Sequence, residues 1–432
     1  MPHTYITKTE LRNIRCFKDF SVTLEDEKKP ILWTMIIGNN SSGKTTLLRS
    51  IALGLCPEGD AIYLMKQIPG SFIRRGEKEG QIRVTLREKD TDKIYTITTK
   101  ITKRSETSPE IVRQQTEPEE QFPWNDIFVC AYGPQRATLA YAGYEQYEPI
   151  NAVRGLFDYE TSLQNPETIL LRQTPDLRKR LEKKLLKILM LDGPDHEMRY
   201  QKRGLEIQGP WGALPFETLS DGYRSTIQWV LDFIGWAVYA ERFSEMDDIG
   251  GILIIDELEQ HLHPKWQRHI IQRIRKQFPK TQIITTTHTP LTASGIADIE
   301  NAMLLKLDDE YEDNTVTARI INKEKLKGKR ADQILSSEAF GLVTTRSPGS
   351  EDDLSRYAEL SGKARRTQNE DDELEALAIH LRETLLFGEN DFEQIVQKAV
   401  SEVLDRLLEK PPSELLDLET KRQLRELFRP GE

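Results

Sequence analysis

The chain has 432 residues, 38% hydrophobic and 30% charged, with a formal net charge of −10. That length and apolar content suit a large α/β domain with additions. No apolar run approaches the ~20 residues of a membrane helix. The first five residues lack the basic-then-apolar order of a secretory leader, so the expected compartment is the cytoplasm. Cys16, Cys56 and Cys130 fall at no metal-ligand spacing, which argues against zinc and fits a reducing environment. Residues 351–432 hold 12 basic and 21 acidic side chains, so −9 of the −10 lies there. An acidic tail binds a phosphate backbone poorly.

In chain order, residues 5–23 alternate apolar and polar positions and predict one or two strands. The apolar run 31–37 predicts a buried strand, and residues 45–55 a helix. Segments 81–87 and 93–103 read as a hairpin around Asp90-Thr91-Asp92. Residues 104–121, polar with two prolines, read as a loop. Residues 127–132 form another apolar strand ending in Gly133-Pro134-Gln135-Arg136. The stretch 137–200 reads as mostly helical. Its clearest helix is 177–191, where Leu181, Leu185, Ile188 and Leu189 recur at helical spacing. It is too short, and too poor in heptads, for a coiled-coil arm.

Segments 205–207 and 211–214 suggest a second hairpin, and 223–243 a long helix. Strands at 251–256, 282–287 and 302–306 alternate with helices at 265–277 and 291–296, the pattern of an α/β parallel core. In the tail, Leu374, Leu377, Ala378, Leu381 and Leu385 share one helix face, as do Phe392, Ile395, Val396, Ala399, Val400, Val403 and Leu407. Pro411-Pro412 separates these from a last helix at 415–428. The expected organisation is a head over 1–345, with a helical insertion at about 137–200, and an acidic helical region over 346–432. That region would serve docking or oligomerisation, or simply pack on the chain's own core.

Four motifs carry chemistry. Gly38-Asn39-Asn40-Ser41-Ser42-Gly43-Lys44-Thr45 has phosphate-loop spacing between a strand and a helix, with Thr46 following. Glycines let backbone N–H groups curl around an anion, and the helix start aims its positive end at it. Lys44 would neutralise the β- and γ-phosphates, and the Thr45 hydroxyl would ligate Mg²⁺. Ile252-Leu253-Ile254-Ile255-Asp256-Glu257 is an apolar strand ending in two acids. Asp256 would hold Mg²⁺, and Glu257 would orient or deprotonate a water. Thr285-Thr286-Thr287-His288 ends the next strand, where His288 can meet the γ-phosphate. Leu219-Ser220-Asp221-Gly222 opens the 223–243 helix, and alone it would be an ordinary helix cap.

Taken in order, these motifs with Gln135 resemble the ABC-type ATPase heads. Glu257-Leu258-Glu259-Gln260-His261-Leu262-His263-Pro264 is similar to a run found in the compact RecF/Rad50/OLD-like branch. Tyr132-Gly133-Pro134-Gln135-Arg136 is similar to a segment of its bacterial anti-phage members, such as the Septu-type ATPases that partner an HNH nuclease. The resemblance covers about residues 4–322. It implies a mostly parallel sheet flanked by helices with an antiparallel β subdomain, and ATP and Mg²⁺ as cofactors. It gives Gln135 a place at the Mg²⁺ and the water. It makes His288 the switch histidine, and Ser220 and Gly222 the signature that binds the γ-phosphate of ATP held by a second copy. Asn13 and Arg15 would lie near the nucleotide. Asp221 and Tyr223-Arg224 depart from the transporter signature, and the residues after Glu257 lack the transporter Ser-Ala-Leu-Asp pattern.

The expected function is an ATPase switch that dimerises on ATP, as a homodimer or higher homo-oligomer, and controls an effector such as a nuclease or toxin in anti-phage defence. DNA is an alternative ligand, as in a RecF-type repair ATPase. An OLD-type ATPase-nuclease would need a metal-binding βα domain after residue 351, where only helices are read. A transporter subunit fits the motifs least.

Overall fold

Six strands form the central sheet of the computed structural model, which describes residues 3–384 apart from 106–107, 121, 137–140, 202–203, 311–314, 343 and 364. The chain divides into two units, Met1–Val343 and Thr344–Glu432.

The first unit opens with β1 (Thr4–Ile14) and β2 (Phe17–Thr23), then β3 (Trp33–Gly38), α1 (Lys44–Gly54) and α2 (Glu58–Met65). Next come β4 (Glu79–Glu88), β5 (Ile94–Thr102), β6 (Ile111–Glu117) and β7 (Val129–Tyr132). Helices α3 (Pro149–Val153), α4 (Pro166–Leu171) and α5 (Pro175–Ile188) precede a meander of β8 (Glu197–Gln201), β9 (Gly204–Gly209) and β10 (Gly212–Pro215). Then follow α6 (Asp221–Tyr239), β11 (Gly251–Ile255), α7 (Pro264–Gln267), α8 (Ile270–Gln277), β12 (Thr281–Thr286), α9 (Pro290–Ser294), β13 (Ala302–Glu310), β14 (Thr315–Ile321) and α10 (Ala331–Leu335).

The central sheet runs β14-β13-β3-β12-β11-β7. Neighbours from β13 to β7 pair parallel, and β14 closes one edge antiparallel. Both faces of the parallel part are covered, which is why its strands read as unbroken apolar runs. Successive side chains enter opposite cores. Met35, Ile37, Leu253 and Ile255 join α6 and α8 on one side. Ile36, Ile252, Ile254 and Ile284 join α1 on the other. Helix α1 is itself roofed by the antiparallel sheet β2-β1-β4-β5-β6, through Leu48 and Ile51 against Ile82 and Val84. The expected α/β head with an antiparallel β subdomain is therefore the fold observed.

Several local expectations change. The segment read as a loop at 104–121 contains β6, hydrogen-bonded to β5 along its length. Its sequence, IVRQQTE, buries only Val112, so it carries no core signal. The 137–200 stretch is less helical than expected. Its three helices are separated by turns, and β8 begins inside it. The 265–277 helix is split into α7 and α8.

In the second unit, α11 (Pro348–Gly362) and α12 (Gln368–Thr384) pair through Arg356, which donates to both Glu373 oxygens at 2.8 Å. Leu374, Leu377 and Ala378 are half-buried and Leu381 is buried, so they share one face of α12 as the spacing predicts. Helix α11 lies in the region expected to be helical, although the sequence alone sets no bounds for it. Leu385 and the helices expected at 392–407 and 415–428 lie outside the described residues.

Candidate functional site

The carboxyl ends of β3, β7, β11 and β12 lie along one edge of the parallel sheet, the position at which α/β sheets bind ligands. The turn after β3 is the Gly38–Thr45 segment, which has phosphate-loop spacing. Gly43 stands at the N-cap of α1 with φ of 91°, and no side chain caps that helix. A Cβ on Gly43 would sit 2.5 Å from Cys16 Sγ as well as in a left-handed backbone, so glycine is required there. The first turn of α1 holds no acidic residue, which leaves its amides and dipole suited to an anion.

A cavity of about 340 Å³ lies over this turn. Asn40, Ser41, Gly43, Lys44, Thr45 and Thr46 line it from the loop side, and Asp256, Glu257 and His288 from the strand ends. Lys44 Nζ donates to the carbonyls of Gly38 (2.8 Å) and Asn39 (2.6 Å). Ser42 is buried beneath the loop, 2.6 Å from where a Gly38 Cβ would be.

Asp256 joins the two halves of the site. Its Oδ2 accepts from Thr45 Oγ1 at 2.6 Å, and its Oδ1 accepts from Thr286 Oγ1 at 2.6 Å. Thr286 Oγ1 in turn accepts the Glu257 N–H at 2.7 Å. Glu257 has φ of 48°. A left-handed backbone costs a residue with a Cβ about 1–2 kcal/mol, so the turn must be held by its surroundings. Burial first, and Asp256 second, push the Glu257 carboxyl above its ordinary range, while Arg136 and Lys44 pull it back. His288 Nε2 is 3.8 Å from Glu257 Oε1. Burial, and then Lys44, lower the His288 imidazole.

The donor set suits Mg²⁺. A threonine hydroxyl and a carboxylate are hard oxygen ligands, and they already meet at 2.6 Å. Among the described residues no cluster of three His, Cys, Asp or Glu could hold a metal without help. That matches an ion which takes one or two protein ligands plus phosphates and water.

Other expected residues fall elsewhere. Gln135 is exposed and does not line the cavity. Ser220 is exposed at the start of α6, where its hydroxyl makes no capping bond. Gly222 is buried, and a Cβ there would meet the His261 carbonyl oxygen at 2.5 Å. Neither residue lines the cavity of its own chain. Arg15 does line it, with its guanidinium over Phe72 and bonded to the carbonyls of Pro69 and Ser71. Asn13 does not.

Four residues escaped sequence reasoning. Thr286 links Asp256 to Glu257, and Cys16 lines the cavity. Glu259 is buried, and its Oε1 accepts the His288 N–H at 2.6 Å. Burial raises its carboxyl. Arg136 is buried, and it donates to the carbonyls of Gly133, Asp256 and Glu257. A threonine run, a second glutamate and an arginine in their motifs were visible, but nothing in the sequence tells which side chain turns inward.

Known proteins match this chain along the same segments. A family model described as "AAA domain" matches residues 8–187. A second, described as "AAA domain, putative AbiEii toxin, Type IV TA system", matches residues 160–294. The Septu protein PtuA of Bacillus mycoides (strain KBAB4) is 28% identical over 346 residues, covering 79% of this chain and 45% of that protein. Over that span the chain is similar to Septu PtuA. The "Retron Vc95 probable ATPase" of Vibrio cholerae serotype O1 biovar El Tor is 33% identical over 119 residues, covering 27% of this chain and 22% of that protein. The chain thus spans less than half the length of each of these relatives. Among solved structures, the SMC head domain from Thermotoga maritima has a TM-score of 0.44 at 11% identity, covering 73% of this chain and 99% of that one. No helix among the described residues is long and apolar enough to cross a membrane.

Proposed function

We propose that this chain is an ATP-hydrolysing switch whose ATP is clamped between two copies of itself. The observation that carries the reading is the bonded series Thr45–Asp256–Thr286–Glu257, which ties the phosphate loop to an acidic pair on another strand. Lys44 and the uncapped amides of α1 take the phosphates. Thr45 and Asp256 would hold Mg²⁺, and the ion when bound would neutralise charge on the phosphate oxygens, while the exposed Gln135 could reach it only by moving. Glu257 accepts a proton from the attacking water, a role helped by its raised carboxyl pKa. His288, beside Glu257, contacts the γ-phosphate. Ser220 and Gly222 complete the site of a second copy. An exposed serine that leaves its own 19-residue helix uncapped favours that role over ordinary capping.

The test is Glu257→Gln. The variant should bind ATP, hydrolyse it roughly a hundredfold or more slowly, and elute as a stable dimer in Mg-ATP by light scattering. Hydrolysis at the wild-type rate sinks the reading.

The output is an effector protein, a nuclease or toxin, in anti-phage defence. Similarity to a Septu protein and a retron ATPase supports this. The second unit, 344–432, serves docking or oligomerisation through its acidic helices. A chain truncated after residue 343 that still assembles and retains its effector would refute that assignment.

A further inference from the structure

Arg136 is only 3% exposed, yet its guanidinium is spent on main-chain carbonyls. Nη1 donates to Asp256 O at 2.6 Å and to Gly133 O at 3.2 Å, and Nη2 donates to Glu257 O at 2.8 Å. Two prongs of one fork therefore bracket successive carbonyls of the acidic pair. On the other side of the same residue, the Glu257 N–H is held by Thr286 Oγ1 at 2.7 Å. Both peptide groups of Glu257 are thus fixed, and Glu257 is the residue with φ of 48°.

A buried cation is costly, and among the described residues Arg136 bonds only carbonyls, with Asp256, Glu259 and Glu257 opposing its desolvation from nearby. The strained backbone of Glu257 persists only where its surroundings over-determine it, and the Arg136 fork is part of those surroundings. We propose that Arg136 is the positioning residue for the Glu257 turn, holding it left-handed so that its carboxylate faces the cavity. The fork is what does this. A lysine presents one point charge and cannot hold two carbonyls in fixed geometry. Arg136 acts through the main chain and does not line the cavity, so ATP affinity should not depend on it.

The inference rests on the reading that Glu257 directs hydrolysis, and the experiment separates the two. Arg136→Lys and Arg136→Gln are made in the wild-type chain and in the Glu257→Gln background. ATP affinity is measured by calorimetry, steady-state kinetics give kcat and KM, and hydrogen exchange is followed over residues 252–262. In the wild-type background, kcat should fall at least roughly tenfold with KM nearly unchanged, and the Lys variant should not rescue it. In the Glu257→Gln background neither variant should slow turnover further. Exchange at the Glu257 turn should speed up in both. Equal rates for wild type and Glu257→Gln would sink the catalytic reading, and exchange would still decide whether Arg136 holds the turn. Unchanged exchange over 252–262 in Arg136→Lys, or a kcat within twofold of wild type, would overturn the proposal.

Discussion

Thr286 Oγ1 stands 2.6 Å from Asp256 Oδ1, and this one hydroxyl fixes the carboxylate while accepting the N–H of the next residue, Glu257. Both bonds are lost in Thr286→Val, which keeps the β-branched shape of a fully buried position. Leaving a buried carboxylate oxygen and a backbone N–H without partners costs about 1–3 kcal/mol for each group, roughly 2–6 kcal/mol together. We expect the unfolding free energy to drop by that amount in urea titration. ATPase kcat should fall about tenfold, because a barrier change of about 1.4 kcal/mol is tenfold in rate. ATP affinity, set by the phosphate loop, should stay within a few-fold. Thr286→Ser should recover most of the rate.

Gly222 and Gly59 form a matched pair. Each is the second residue of its helix, α6 and α2 respectively. A Cβ on Gly59 meets nothing within 4 Å, whereas one on Gly222 meets the His261 carbonyl oxygen at 2.5 Å. Alanine gains at most about 1 kcal/mol over glycine in helix propensity, and overpacking against backbone costs about 1–3 kcal/mol. Gly59→Ala should therefore raise stability slightly and Gly222→Ala should lower it. Thermal or urea unfolding of the two variants checks the signs. A Gly222→Ala chain as stable as wild type would mean that the start of α6 is not pressed on the turn before α7.

The contrast also shows what the sequence could and could not reveal. The phosphate loop and the Asp256-Glu257 strand end were legible because spacing alone carries them, and the buried parallel strands because both faces are apolar. Strands β6 and β14 were missed for the opposite reason. Each faces solvent on one side, and four of the seven β14 residues are exposed. The inward turn of Arg136, with Gln135 left exposed beside it, inverts what the motif suggested. A buried cation bonded to carbonyls leaves no periodicity to read, and the packing of Gly222 on His261 joins positions that no local pattern connects.

If Thr45 and Asp256 hold Mg²⁺ as proposed, their contact makes Mg²⁺ dependence separable from phosphate binding. Thr45→Val removes the hydroxyl that meets Asp256 Oδ2, while Lys44 and the loop amides remain. The wild-type chain should bind ATP more tightly with Mg²⁺ than with EDTA. In Thr45→Val that difference should shrink to near nothing, with the EDTA-state affinity unchanged. Thr45→Ser should retain the difference. Calorimetry in the two buffers reads it directly, and an undiminished Mg²⁺ effect in Thr45→Val would remove Thr45 from the ligand set.

Asp232 supplies a pH dependence away from the nucleotide. It lies buried in α6, accepting from Tyr132 Oη and the Gln164 N–H, each at 2.8 Å. Burial pushes its carboxyl up to about 6, against the opposing pull of bonds from Gln164, Tyr132 and Trp236. The folded state therefore holds this proton more tightly than the unfolded chain, whose value is 3.8. Below 3.8 both states are protonated and the group costs nothing. From 3.8 to about 6 stability falls as pH rises, and above that the loss is complete. Two pK units correspond to about 3 kcal/mol in total, of which about 2 kcal/mol accrues between pH 4.5 and 7.5. Asp232→Asn cannot ionise. Its Oδ1 can still accept from Gln164, and its Nδ2 can donate to Tyr132. Urea unfolding of both chains at the two pH values isolates the group, since all other titrations cancel in the difference. The wild type should lose about 2 kcal/mol more than Asp232→Asn on going to pH 7.5, and parallel pH profiles would show that Asp232 stays ionised in the core.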